Sequence, residues 1–229
     1  MHNDTRDSDT DSNESRGSRR KRQTREKLLQ AAMELMAERG MDGVAINEIT
    51  ERADVGFGTF YNHFPSKDAI YAALISQVFE DFADDIDART QGMTDPAEIL
   101  AFSIQMTLQK AAHDVLWGKF LVRESITPEA LTRGLGQRLV RDVMMGLQQG
   151  RFASNDPISS FITLSGTMIA GIMAQQMALD SHSPVHHLSS LIGGNLENLP
   201  QRIARNALVS LGLAAGQADA ISASVAQEL

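Results

Sequence analysis

The stretch from Asp54 to Asp68, reading Asp-Val-Gly-Phe-Gly-Thr-Phe-Tyr-Asn-His-Phe-Pro-Ser-Lys-Asp, constrains the chain more than any other. Pro65 ends any helix that begins near Gly58. The helix left, about Gly58 to Phe64, is too short to be stable alone. It has to be held by neighbours, which makes Phe60 and Phe64 its anchors. Before it, Ile46, Ile49 and Ala53 recur at helical spacing; before them, Leu28, Leu29, Ala32, Leu35 and Met36 form one stripe stopped by Gly40. A long, a medium and a short helix with a tight turn before the last is an arrangement that offers one small helix to the DNA major groove.

Ser66 reads as the cap of the next helix, whose apolar positions Ile70, Leu74, Val78, Phe82 and Ile86 step by four, against an acidic second half. Further helices are expected from Pro96 to about Ala112, over Val115–Arg123, from Thr127-Pro128 to near Gly150, from Asp156-Pro157 to about Leu179, from about Leu196 to Leu213, and a short one from about Gln217. Residues 181–195 read as loop, and no segment alternates as a strand would. The expected fold is all-α: a disordered acidic tail over 1–18, a three-helix helix-turn-helix domain over 19–66, and a larger helical domain over 67–229.

With no cysteine, thiolate metal sites, disulfides and cysteine nucleophiles are excluded. His182, His186 and His187 sit in a Ser/Pro loop at spacings that match no strong zinc pattern, so neither a metal nor a cofactor is expected. No apolar run approaches the ~20 residues of a membrane span, and the polar N-terminus is unlike a signal peptide, so a cytoplasmic protein is expected. The net charge of −8 divides into −3 over 1–18, +1 over 19–68 and −6 beyond. Positive charge gathers at Arg19-Arg20-Lys21-Arg22 and Arg25, either a DNA-contacting arm or a solvated extension.

Gly40, Ile49, Val55, Gly58, Phe60-Tyr61, Phe64 and Lys67 together closely resemble the signature of the TetR/AcrR family of dimeric, ligand-responsive repressors, over roughly residues 22–72. The resemblance implies a homodimer on a palindromic double-stranded DNA operator, with Phe57, Gly58 and Tyr61 facing the groove and Thr59 and Asn62 on the same helix. Asn47, His63 and Lys67 join the expected DNA-contacting set. The short helix carries no Lys or Arg, so an Arg–guanine contact is not available from it. Ala45 and Gly56 stand where relatives often carry Ser or Thr caps.

For the body, the resemblance implies a small hydrophobic effector and a dimer seam of two helices per protomer. The expected cavity set is Phe102, Met106, Trp117, Phe120, Phe161 and Met168; the expected seam is Gly166, Ala170, Ala174, Ile203, Ala207 and Leu211. Without the resemblance, the Met/aromatic positions read as plain core. No nucleophile elbow, paired-histidine helix or phosphate-binding glycine loop supports an enzyme. The alternative is a ligand-binding or protein-interaction dimer that has lost specific DNA binding.

Overall fold

The computed structural model describes residues 16–125, 133–154, 156–179, 183 and 195–229. Every regular element among them is helical, as expected. The start of the helix expected from Thr127, most of the 181–195 loop including its histidines, and most of the acidic tail lie outside the described residues.

The head is built from α1 (Arg16–Arg39), α2 (Ile46–Arg52) and α3 (Phe57–Tyr61). Its core starts at Leu28; Leu28, Ala32, Met36, Ile49 and Phe60 are fully shielded from solvent. Gly40 ends α1 at φ 74°, where a side chain would be strained. Two ion pairs fasten α2 to α1, Arg39–Glu48 at 2.8 Å and Arg52–Glu34 at 2.9 Å. Asp54 makes the turn into α3 in the left-handed region at φ 53°, which Asp tolerates better than most residues. α3 is shorter than expected, and α1 begins three residues earlier, taking Arg16–Ser18 out of the expected tail.

Ser66 caps α4 (Lys67–Ile75) by accepting a hydrogen bond from the Ala69 N–H at 3.1 Å. The stride of four predicts one unbroken α-helix to Ile86. The structure instead inserts a π-helical turn, Ser76–Glu80, before α5 (Asp81–Thr90). The extra residue rotates the register, so Val78 and Phe79 are both buried while Phe82 is only half-buried.

The body is α6 (Pro96–His113), α7 (Val115–Glu124), α8 (Gly134–Gln148), α9 (Pro157–Met177), α10 (Leu199–Ser210) and α11 (Ala215–Glu228). α6 is the central post, touching α5 and every other body helix, and eleven of its residues are buried. Asp95 and Asp156 cap α6 and α9 through the N–H groups of Ala97 and Ser159, each with proline in the first turn. α8 starts at Gly134, φ 50°, whose backbone lies so close to the Phe79 carbonyl that a Cβ there would overlap it.

α9 corrects two expectations. It has 21 residues and few charges, so among the described residues one helix is long and apolar enough to cross a bilayer by length and composition. It packs, however, on α6, α7, α8 and α10, with Leu164, Gly171 and Ile172 turned inward. The expected seam divides as well. Ile203, Ala207 and Leu211 are buried within the single chain, with Ile203 seated directly over Gly171, so these three are core rather than seam. Gly166 and Ala170 are exposed and Ala174 half-buried. The exposed side of α9 carries Ile158, Ile162, Gly166, Ala170, Met173 and Met177 at spacings of four, four, four, three and four, one continuous stripe on a helix.

Candidate nucleic-acid interface and effector cavity

α3 has five residues and no stability of its own. Phe60, fully buried, and Phe64 tie it down, and the Arg25 guanidinium covers the Phe64 ring at 5.1 Å. The opposite face is free of such duties. Phe57 is 55 % exposed and Tyr61 50 %; their rings meet edge-on at 5.5 Å. Gly58, Asn62 and Asn47 are exposed, and Thr59 and His63 half-buried. The expected groove-facing set is thus accessible on one end of the molecule.

Gly58 needs no positive φ, and a Cβ built on it meets nothing within 4 Å. The fold therefore gives no reason for glycine there, whereas close approach of a partner does. Gly58→Ala is expected to leave the protein as stable as before or about 0.5–1 kcal/mol more stable, while weakening DNA binding. Thermal melts paired with anisotropy titrations on one duplex check this; a variant that binds as well as the parent removes Gly58 from the contact surface.

Lys67 does other work than the phosphate contact expected of it. Its Nζ donates to the carbonyls of Met41 at 2.9 Å and Val44 at 3.1 Å, closing the α1–α2 loop onto α4. Neither Ala45 nor Gly56 provides a side-chain cap. Glu48 offsets the first loss by accepting from the Ala45 N–H at 2.9 Å. That bond, with the Arg39 pair, holds its carboxyl below the usual range. His63 is pushed down by burial and then by Lys21 and Arg25, which places those two cations beside the end of α3.

The body holds an apolar cavity of about 90 Å³ between α5, α6, α7, α8, α9 and the π turn. Of the expected lining residues, Phe161 and Met168 face it. Phe102, Met106, Trp117 and Phe120 are buried core instead, Trp117 packed edge-on against Phe82 at 4.9 Å. The walls missed from sequence are Phe79, Ala83 and Ile86 on one side, and Leu135, Arg138, Leu139 and Asp142 on α8. The signal lay in α8: 135, 138, 139 and 142 share one helical face, so a charged pair sits on an otherwise apolar, inward stripe.

The cavity's hydroxyl groups have a common character. Ser103, Thr107, Ser125 and Ser165 each donate to a carbonyl three or four residues back, at 2.7–2.8 Å, so each offers the cavity only oxygen lone pairs. Asp142 is 2 % exposed, and burial raises its carboxyl despite the Arg141 bond at 2.8 Å. Arg141 also grips Asp87 through Nη2 at 2.7 Å, and Arg138 reaches Asp84 and Asp87. Burial pushes Asp87 upward, but the two arginines outweigh it and its carboxyl ends below the usual range. The cavity's charged rim is thereby bonded to α5.

Cavity and head share elements. Phe79, Ala83 and Ile86 line the cavity on the helical path that begins at Lys67. On α7, Leu121 lines the cavity, while Arg123 donates to the Glu38 carbonyl at 3.2 Å and Glu124 accepts from the Tyr71 hydroxyl at 2.5 Å.

Comparison with known proteins agrees with this architecture. Residues 28–74 match the family model of bacterial regulatory proteins, tetR family, and residues 95–224 match the tetracyclin repressor-like C-terminal domain. An uncharacterized HTH-type regulator of Bacillus subtilis, YvdT, is 37 % identical over 82 residues, 36 % of this chain and 42 % of that protein. The repressor DhaR of a Mycobacterium species is 33 % identical over 31 % of this chain and 36 % of its own. The chain thus aligns with less than half the length of these curated relatives. Among solved structures, RolR in complex with resorcinol is 34 % identical, covering 90 % of this chain and 95 % of its own, with TM-score 0.60. FadR of Bacillus subtilis with stearoyl-CoA, at 18 % identity, 80 % and 97 % coverage and TM-score 0.58, shares the fold. With matches over both head and body, the chain belongs to the TetR family of bacterial regulatory proteins.

Proposed function

We propose that the chain is a ligand-responsive transcriptional repressor that binds a palindromic operator as a homodimer and is released by a small hydroxylated aromatic effector. The observation that carries the reading is the division of labour in α3: Phe60 is spent on the fold, while Phe57, Gly58, Tyr61 and Asn62 are left exposed. Asn62 suits a bidentate pair with adenine and the rings suit thymine methyls; Asn47 and His63 suit phosphates. Relatives named as repressors, DhaR among them, support the sign of regulation.

The effector class follows from the cavity. Hydroxyls whose hydrogens are already donated to carbonyls, together with the Asp142 carboxylate, and with Arg138 engaged by Asp84 and Asp87, call for a ligand that donates hydrogen bonds from an apolar frame. At about 90 Å³ the cavity is smaller than the roughly 150 Å³ that admits benzene, so a single ring enters only by widening it, and an acyl chain would need far more room. The complex of RolR with resorcinol, a dihydric phenol, is in keeping with that class. Filling the cavity would shift Phe79 and Ile86 on the helical path from Lys67, and Leu121 beside the Glu124–Tyr71 bond. An effector favouring one head spacing in this way needs a coupling of about 1–3 kcal/mol.

The test is selection of bound duplexes from a random pool, followed by titration of the enriched duplex at two salt concentrations with and without resorcinol. The expected motif is two-fold, with half-site centres about 34–36 Å apart or a multiple, with affinity that falls steeply with salt and drops on adding resorcinol. An unenriched pool sinks the operator reading and leaves a ligand-binding dimer. Release by stearoyl-CoA but not by resorcinol or other single-ring phenols overturns the effector class.

A further inference from the structure

The first half of α1 is helix without a core. Residues 16–27 carry seven cations, Arg16, Arg19, Arg20, Lys21, Arg22, Arg25 and Lys27, against the single acid Glu26, a net of +6 in a chain whose total is −8. Among them only Thr24 is even half-buried; the first buried residue of α1 is Leu28. At 1.5 Å per residue, the eight residues before Thr24 extend about 12 Å past the head's packed core. Like charges three and four apart on a helix repel, here at 16/19, 16/20, 19/22, 21/25 and 22/25, and no buried apolar surface offsets that repulsion. A helix of this kind is stabilised by a polyanion laid against it.

Its position says which polyanion. Lys21 and Arg25 lie close enough to His63 to depress its protonation, and Arg25 stacks on Phe64, so the basic face borders the end of α3. Its neighbours there are the exposed Tyr61 and Asn62. Because α3 has no Lys or Arg of its own, the head's phosphate contacts need cations from elsewhere, and Lys67 is engaged with two carbonyls.

We infer that the Arg16–Arg25 segment of α1 is a second DNA-binding surface, a helical arm whose arginines and Lys21 hold the phosphates bordering each half-site. It supplies the sequence-independent part of the affinity that α3 lacks. The inference rests on the operator reading above, and its test separates the two. The full chain and an Arg19→Gln/Arg20→Gln/Lys21→Gln variant are titrated with the selected operator duplex between 50 and 200 mM salt. Arg25 and the Arg22–Glu26 pair are left intact to preserve the stacking and the helix.

With each phosphate contact contributing about −0.9 to the slope of log affinity on log salt, and three cations removed from each of two arms, the variant's slope is expected to be shallower by up to about five. Its low-salt affinity is expected to fall by about 10- to 100-fold, with its selected motif and melting temperature unchanged. An Arg19→Lys/Arg20→Lys variant should keep the parent slope, since the charge is retained. A triple variant with the parent slope overturns the arm. So does one that keeps its slope but no longer binds phosphatidylserine vesicles that the parent binds, because the surface would then serve a membrane. A parent chain with no operator removes the reading on which the arm rests, and the arm with it.

Discussion

Ala170→Arg is expected to convert a dimer into a folded 25.0 kDa monomer and to lower operator affinity by about 10²- to 10⁴-fold, the factor gained when two linked heads bind together. Ala170 lies on the exposed stripe of α9, between Gly166 and Met173. Ile158 is 74 % exposed and Ile162 62 %, a continuous apolar strip for which a single chain has no use. Small residues at 166 and 170 allow another helix to come close. Arginine there would hold the helices apart and leave a charge with no acceptor. Because position 170 faces away from its own chain, the monomer should still fold and melt cooperatively, lower than the parent only by the stabilisation that dimerisation supplied. Sedimentation decides: a variant that still sediments as a dimer places the seam elsewhere.

Asp142→Asn should separate sensing from stability. The carboxylate is buried in the cavity wall and its pKa is raised, chiefly by burial. A carboxyl raised in the folded state favours the fold fully below its ordinary value of 3.8, and that contribution is lost as pH rises through the folded value. At neutral pH the native protein therefore carries a cost that asparagine removes, while Arg141 keeps its grip on Asp87. Asp87 and Asp95 run the other way: their contributions are present above the ordinary carboxylate range and lost as pH falls. The expected result is a Tm at pH 7 equal to or above the parent's, with the advantage shrinking as pH approaches 3.8.

Operator affinity should be untouched by Asp142→Asn. The resorcinol concentration needed for release should rise about 10- to 100-fold, the worth of one charge-assisted hydrogen bond at ~1.5–3 kcal/mol. A variant released as readily as the parent would remove Asp142 from the effector's contacts. A buried carboxylate kept at a cost to stability is a feature expected at functional sites.

The head was legible because its constraints are local. Phe60 and Phe64 must be anchors when the helix is too short to stand alone, and Gly40, Pro65 and Ser66 mark its boundaries by backbone chemistry. The cavity was legible only in part. Phe161 and Met168 line it, but Phe102, Met106, Trp117 and Phe120, equally apolar and equally periodic, are core. Periodicity reports that a face is buried and is silent on whether packing there leaves a void. Lys67 shows the same limit: a cation near a DNA-reading helix suggests a phosphate, yet two carbonyls 23 and 26 residues upstream claim its ammonium.

By itself, the sequence determined the all-α class, the order of the head helices, the cap at Ser66, and the side of α3 that is free. Each rests on interactions within a few residues of chain. Only the tertiary structure decided that Ile203, Ala207 and Leu211 face inward while the 158–177 stripe faces out. It alone revealed the π turn at 76–80, where Gly134 presses on Phe79, and the meeting of Arg138, Arg141 and Asp142 with Asp84 and Asp87. These depend on contacts between helices thirty or more residues apart, where close packing selects one of several faces that look alike in sequence.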